Sequence, residues 1–400
     1  MRKSILFIIA LLSINAFNRP VFAQGPAKKS GYEFKIIKSL PATPVKDQHR
    51  TGTCWSFATI SFLESELLRK GKGEFDLSEM YPVRICYEYK AEKYVRMHGK
   101  TNFAHGGLGQ DLLWVLDHYG LVPEAVYGGL EYGEDKHVHG EMDAVVSGYM
   151  EHLISNRNGR LTPVWKEGLK GILDAYFGKV PERFSYNGKD YTPAEFAEML
   201  NLSSSDYIAV GSFTHHPFYE TFILEVPDNW MWHNIYNVPI NDMMQVLDNA
   251  LEQGYTVLWD ADVSERGFDR KTSIALVPQE EQEEIMNMDR NRWSSLSDQE
   301  KQKLLYDFST PKKERVITQE MRQESFNNYM TSDDHLMHIT GLAEDQKGNP
   351  FYLVKNSWGT EELVYDGYFY VSRTYMQYKT LFFMVHKEAI PEALRDRLGI

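Results

Sequence analysis

Gln48-His49-Arg50-Thr51-Gly52-Thr53-Cys54-Trp55 is the stretch on which the reading of this 400-residue chain turns. It runs into Ser56-Phe57-Ala58-Thr59-Ile60-Ser61-Phe62-Leu63, apolar almost all round, which predicts a buried helix opened by Cys54. Arg69 and Lys70 suit the negative end of that helix, and Gly71 is placed to take a left-handed cap. A cysteine in the first turn sits at the positive end of the helix dipole, which lowers the thiol pKa and favours the nucleophilic thiolate. Its own backbone N–H can point at an oxyanion, and the side-chain amide of Gln48, six residues earlier, can supply a second donor. A lone buried cysteine is ordinarily inert packing, but packing alone gives no role to Gln48, Gly52 and Trp55.

A thiol nucleophile needs a proton-transfer partner, and 13 histidines compete. Asp333-Asp334-His335-Leu336-Met337-His338-Ile339-Thr340-Gly341 is the best context, because Lys355-Asn356-Ser357-Trp358-Gly359 follows across the turn-rich Asp345-Gln346-Lys347-Gly348-Asn349-Pro350. Two strands joined by that hairpin would set an imidazole beside the Asn356 amide, with Trp358 shielding the bond from water. Strand alternation sends His335 and His338 to opposite faces, which argues against a shared metal. His215-His216-Pro217 and the pair Asp260 and Asp262 read as ordinary polar positions.

Around these segments the chain divides. Arg2 and Lys3, an apolar run from Ile5 to Leu12, and Val21-Phe22-Ala23 form a secretory signal peptide over residues 1–23, so the protein is expected to be exported, periplasmic or extracellular, with no stable membrane insertion after cleavage. Residues 24–44 form a polar N-terminal arm with irregular backbone. Residues 45–205 form a mainly helical lobe, with further helices at 110–118, 143–155 and 164–177 and one opened by the capping box Thr192-Pro193-Ala194-Glu195. Residues 206–400 form a β-rich lobe with strands near 207–213, 255–263, 336–342, 351–356, 367–371 and 380–385. A charged helical insertion at about 279–330 interrupts it, exposed between 279 and 313, with Ser297 and Glu300 as a helix cap. A formal charge of −13 argues against nucleic acid as a partner. Cys54 and Cys86 are too few for a disulfide framework or a cysteine-rich zinc site.

The order Gln48, Cys54-Trp55, His335 and Asn356-Ser357-Trp358-Gly359 resembles the papain-like cysteine peptidases. Thr51 stands where that family has a structural disulfide partner. The resemblance implies an α+β papain-like two-lobe fold with Cys54 as nucleophile, His335 as general base and acid, Asn356 as its orienter and Gln48 as oxyanion donor. His335 is preferred to His338 because Gly341 follows it by six positions. The resemblance also implies that Gly106 and Gly107 let a substrate backbone lie against the cleft wall, that Trp358 lines the site, and that neither metal nor organic cofactor is needed. Cys54 and His335 lie 281 positions apart, against roughly 130–150 in the papain pattern. That excess, with Tyr191-Thr192-Pro193-Ala194-Glu195-Phe196, Tyr236-Asn237-Val238-Pro239-Ile240 and Trp259-Asp260-Ala261-Asp262-Val263, resembles the bleomycin hydrolase and aminopeptidase C branch. The branch implies large helical insertions, peptide substrates, a homo-hexamer with enclosed sites, and a broad-specificity aminopeptidase whose C-terminal carboxylate, here Ile400, meets the substrate's amino group. The alternatives are an endopeptidase of the same fold and a catalytically dead binding scaffold.

Overall fold

In the computed structural model, which describes residues 30–279 and 296–400, helix α1 (Cys54–Arg69) starts at the cysteine, as the sequence predicts. Every residue from Cys54 to Leu67 is buried, so its near-uniform apolarity reflects neighbours on all sides. The helix stops where Gly71 turns to φ 69°, with Gly71 N–H on the Leu68 carbonyl and Lys72 N–H on that of Leu67. Around α1 pack α2 (Met80–Arg96), α3 (Gly109–Tyr119), α4 (Gly140–Ile154), α5 (Val164–Phe177) and α6 (Pro193–Leu200), with a small hairpin of β2 (Phe184–Tyr186) and β3 (Lys189–Tyr191). The capping box of α6 forms in both directions between Thr192 and Glu195. Helix α2 was not anticipated. Its Pro82 sits in the first turn, where a missing N–H costs nothing, and its fully buried Arg84 is held by Asp174 at 2.7 Å.

The second half builds a sheet of eleven strands. Counting β1 (Phe34–Ser39) as first, these include β4 (Tyr207–Gly211), β5 (Thr221–Ile223), β6 (Asn234–Asn237), β7 (Val257–Ala261), β8 (Phe268–Asp269), β9 (Ile274–Ala275), β10 (His335–Asp345), β11 (Pro350–Lys355), β12 (Tyr368–Ser372) and β13 (Thr380–His386). The order is β5-β6-β4-β13-β7-β10-β11-β12-β9-β8, and β1 pairs with β10. Alternation gives the two faces different partners. Leu258, Leu336 and Met384 join the helical core around α1. Trp259, Met337 and Phe383 join a second core with α7 (Ile240–Gln253) on the opposite face.

The N-terminal arm is therefore not irregular throughout. Residues 34–39 form a strand because β10 is long enough to pair with β7 through His335–Ile339 and with β1 through Gly341–Asp345. Gly341 permits that junction: a Cβ there would lie 2.3 Å from the Lys38 carbonyl oxygen. In its described part the insertion is mostly exposed but anchored by a few buried side chains. Helix α8 (Asp298–Leu305) has the Ser297–Glu300 capping box, but Leu305 and Phe308 behind it are buried, and Phe308 packs with Tyr32 and Phe351. Three further helices complete the chain: α9 (Gln319–Asn327), α10 (Arg373–Lys379) and α11 (Glu392–Leu398). The expected signal peptide and the insertion's first part lie outside the described residues. Among the described residues no helix is long and apolar enough to cross a membrane.

Candidate active site

Two loops bring the halves together. Gln48 N–H donates to the Ser357 carbonyl at 2.9 Å, Gly359 N–H to the Lys46 carbonyl at 3.1 Å, and Ser357 Oγ–H to Gln48 Oε1 at 2.6 Å. The segment before the cysteine and the Asn-Ser-Trp-Gly segment are thus one structure. The amide orientation of Gln48 follows, since Oε1 accepts from Ser357 while Nε2 donates one hydrogen to the Thr51 carbonyl at 2.8 Å. The second Nε2 hydrogen is left for a ligand. Cys54 is 8 % exposed, at the head of α1, which packs against β10. Trp55 Nε1–H ties the first turn of α1 to the His105 carbonyl at 3.1 Å. Gln48→Ala tests the oxyanion role expected from the sequence: kcat on a chromogenic peptide should fall roughly 10²–10³-fold, and an unchanged kcat would show that the amide does not face the oxyanion.

His335 and Asn356 meet as the hairpin predicts, Nε2 to Oδ1 at 2.8 Å. Asn356 Oδ1 also accepts the Ser357 N–H at 2.7 Å, which identifies it as oxygen. His335 Nε2 must then carry the hydrogen, and Nδ1 is the basic nitrogen. Trp358 stacks on the His335 ring at 4.8 Å and 27°, and Arg270 lies over the other ring system at 5.0 Å. Trp358 thus covers one face of the His335 ring. His338 points the other way, Nδ1 to Ser61 Oγ on α1 at 2.9 Å, so the two imidazoles do diverge.

The expected depression of the thiol pKa is not what the site provides. Burial pushes the Cys54 thiol up to about 12, with the carboxyls of Asp228, Asp333 and Asp260 adding to the rise. Burial also holds the His335 imidazole down at about 4, against the upward pull of the Asn356 bond. Burial thus favours the neutral form of both groups, the thiol of Cys54 and the imidazole of His335.

A Cβ on Gly106 would lie 1.9 Å from Asp228 Oδ2, and one on Gly107 would lie 2.7 Å from Asp111 Oδ2 and 3.1 Å from the Trp55 ring. The space these glycines vacate is filled by the protein's own side chains. Ile400 follows α11, whose Leu394 and Leu398 pack in the core shared with α7. The acidic group beside Cys54 was missed: Asp260 is fully buried, not an ordinary polar position, and lies against Asp333. His215 and His216 both meet Glu225, at 2.7 and 3.2 Å, and Gln323 donates to His215 Nδ1, which places the His215 hydrogen on Nε2, facing the carboxylate.

With this geometry in hand, comparison with known proteins is direct. The profile of the Peptidase C1-like family matches residues 181–399, over half of the chain, and that of the papain family cysteine proteases matches residues 33–152. Aminopeptidase G of Lactobacillus delbrueckii subsp. lactis is 22% identical over 404 residues, covering 90% of this chain and 84% of its own. Aminopeptidase C of Lactococcus lactis subsp. cremoris is 23% identical over 401 residues with the same coverage. The crystal structure of PepW from Lactobacillus rhamnosis HN001 shares the fold at TM-score 0.68 and 19% identity, covering 91% of this chain and 84% of that one.

Proposed function

Since this chain belongs to the Peptidase C1-like family and is a cysteine-type peptidase with the papain-like fold, we propose that it is an aminopeptidase of broad specificity. The observation that supports the chemistry is the His335–Asn356 bond at 2.8 Å, at the head of β10, the strand against which the helix opened by Cys54 packs. Cys54 Sγ attacks the scissile carbonyl while His335 Nδ1 takes the thiol proton. The oxyanion is held by the Cys54 N–H and the second amide hydrogen of Gln48. His335 returns the proton to the leaving amine, then draws one from water to open the thioester. The exopeptidase part rests on similarity to aminopeptidases G and C across most of the chain.

The second reading is an endopeptidase of the same fold, which would need no carboxylate to meet a free amino end. Matched peptides with free and acetylated amino ends separate the two. An aminopeptidase should cleave the free form at least about tenfold better, since a blocked end leaves an enzyme carboxylate unpaired; equal rates would establish the endopeptidase. The proposal also places the enzyme outside the cytoplasm, supported by the pattern of residues 1–23, and in a homo-hexamer, supported by resemblance to the branch. N-terminal sequencing and sedimentation of the purified protein test these two points.

A further inference from the structure

Between α1 and the hairpin of β10 and β11 lies a cavity of about 20 Å³, whose lining includes Ser61, Glu64, Glu79, His338, Lys355 and Asn356. Two of these side chains carry a buried nitrogen with no hydrogen-bond partner among the described residues, Nε2 of His338 and Nδ2 of Asn356. We propose that one internal water in this cavity accepts a hydrogen bond from each, and that His338 is thereby a positioning residue for Asn356. The inference rests on the reading of Asn356 as the group that orients His335.

The hydrogens around the cavity can be placed. His338 and Lys355 are paired across β10 and β11, so their side chains stand together on one side of the sheet. Lys355 Nζ donates to Ser61 Oγ at 2.7 Å and to Thr43 Oγ at 3.1 Å, and Thr43 Oγ–H donates to Glu64 Oε2 at 2.6 Å. Burial lowers Lys355 to about 8, which still leaves an ammonium at neutral pH. Ser61 Oγ accepts from that ammonium, so its own hydrogen goes to His338 Nδ1 at 2.9 Å. Burial and the Lys355 charge hold the His338 imidazole well below its ordinary value, so the ring is neutral and its one hydrogen sits on Nε2. Asn356 Oδ1 is fixed as the oxygen by Ser357 N–H and His335, so Nδ2 is a donor too. Two donors meet one cavity, and what they need is an acceptor.

Water is the acceptor that fits. A site holds one water when it offers roughly 10–15 Å³ and two to four polar partners, and a polyatomic ligand would need more room. The carboxyl groups of Glu64 and Glu79 line the same cavity and offer acceptors for the water's own hydrogens. The bond matters because of how the Asn356 amide is held. His335 and Ser357 both hold its Oδ1 end, and no group among the described residues holds its Nδ2 end. An amide bound at one end swings about its last side-chain torsion, which is soft, and each swing loosens the imidazole it orients. Bonded through water to His338, the amide plane is fixed from both ends. His338 is in turn held by Ser61 on α1, the helix that Cys54 opens. The base is thereby joined to the nucleophile's own helix, from His335 through Asn356, the water and His338 to Ser61.

The test measures kcat and KM on a peptidyl coumarin amide for wild type, His338→Leu, His338→Gln, Asn356→Ala and the double variant His338→Leu with Asn356→Ala. Rates are expressed per thiol titrated with an epoxide inhibitor, so misfolded protein is not counted. His338→Leu should lower kcat roughly three- to tenfold at unchanged KM, the effect of one hydrogen bond lost. His338→Gln keeps a donor at the Nε2 position and should restore most of that loss. Beside Asn356→Ala, the His338→Leu change should have no further effect on kcat, because the two act as one unit. A crystal structure of the wild type should show one water within about 3.2 Å of both nitrogens, an arm that needs no variant to fold. Absence of that water, an unchanged kcat in His338→Leu, or a loss that persists in full beside Asn356→Ala would overturn the inference and leave His338 a packing residue. An Asn356→Ala enzyme with wild-type kcat would instead overturn the reading of Asn356 on which it rests.

Discussion

Cys54→Ala should abolish peptide hydrolysis, by on the order of 10⁵-fold or more, and abolish covalent labelling by a thiol-directed epoxide. The variant removes the sulfur that a thioester requires, and the other cysteine, Cys86, lies apart in the helical core. Cys86→Ala is the matched control. Cys86 is 1 % exposed within the helical core, where burial pushes its thiol well up, so it is an unreactive packing group. That variant should keep turnover and labelling and melt a few degrees lower, from a small cavity. Turnover in the Cys54 variant, or labelling that follows Cys86, would end the thioester mechanism.

His335→Ala should cost roughly 10²–10⁴ in kcat/KM and should remove a feature of the pH profile. Burial holds the His335 imidazole at about 4, below its ordinary value, so the neutral base persists as pH falls. Wild-type kcat/KM should therefore hold through the weakly acidic range and drop only as pH passes down through about 4, where Nδ1 becomes protonated and can no longer accept. Residual activity of His335→Ala should lack that acid limb. His338→Ala should retain it, because His338 lies on the opposite side of the strand against Ser61 and beside Lys355; its loss should appear as a lowered Tm. If His338→Ala, not His335→Ala, erased the acid limb, the assignment of the base would be reversed.

What the sequence shows depends on how local the cause is. Helix α5 falls on Val164–Phe177 as predicted, and the caps of α6 and α8 are visible in their Thr-x-x-Glu and Ser-x-x-Glu spacings. The hairpin between β10 and β11 is written in its turn residues, and with it the meeting of His335 and Asn356. Helix α7 was overlooked although its spacing of Met243, Val246, Leu247, Ala250 and Leu251 is amphipathic. Strand β1 carries no alternation of its own; its six residues are ordered by β10 and by Phe34 stacking on Tyr370 at 3.9 Å. The position of Asp228 on Gly106 joins residues more than a hundred positions apart, and the raised thiol pKa comes from burial by the whole fold. Neither has a local signal.

The double pairing of β10 has a temporal meaning. β1 finds its partner about three hundred positions later, and the nucleophile is separated from its base by 281. At synthesis rates of about 5–20 residues per second, Cys54 waits roughly a quarter of a minute to a minute for His335 to exist. Closing so distant a pairing is slow even then, because loop entropy must be overcome before the contacts form. A nascent or translocating chain thus displays a cysteine that has no base, no oxyanion loop and no thioester chemistry. Registration of β10 against β1 and β7 is thus the step that carries His335 to its place in the sheet.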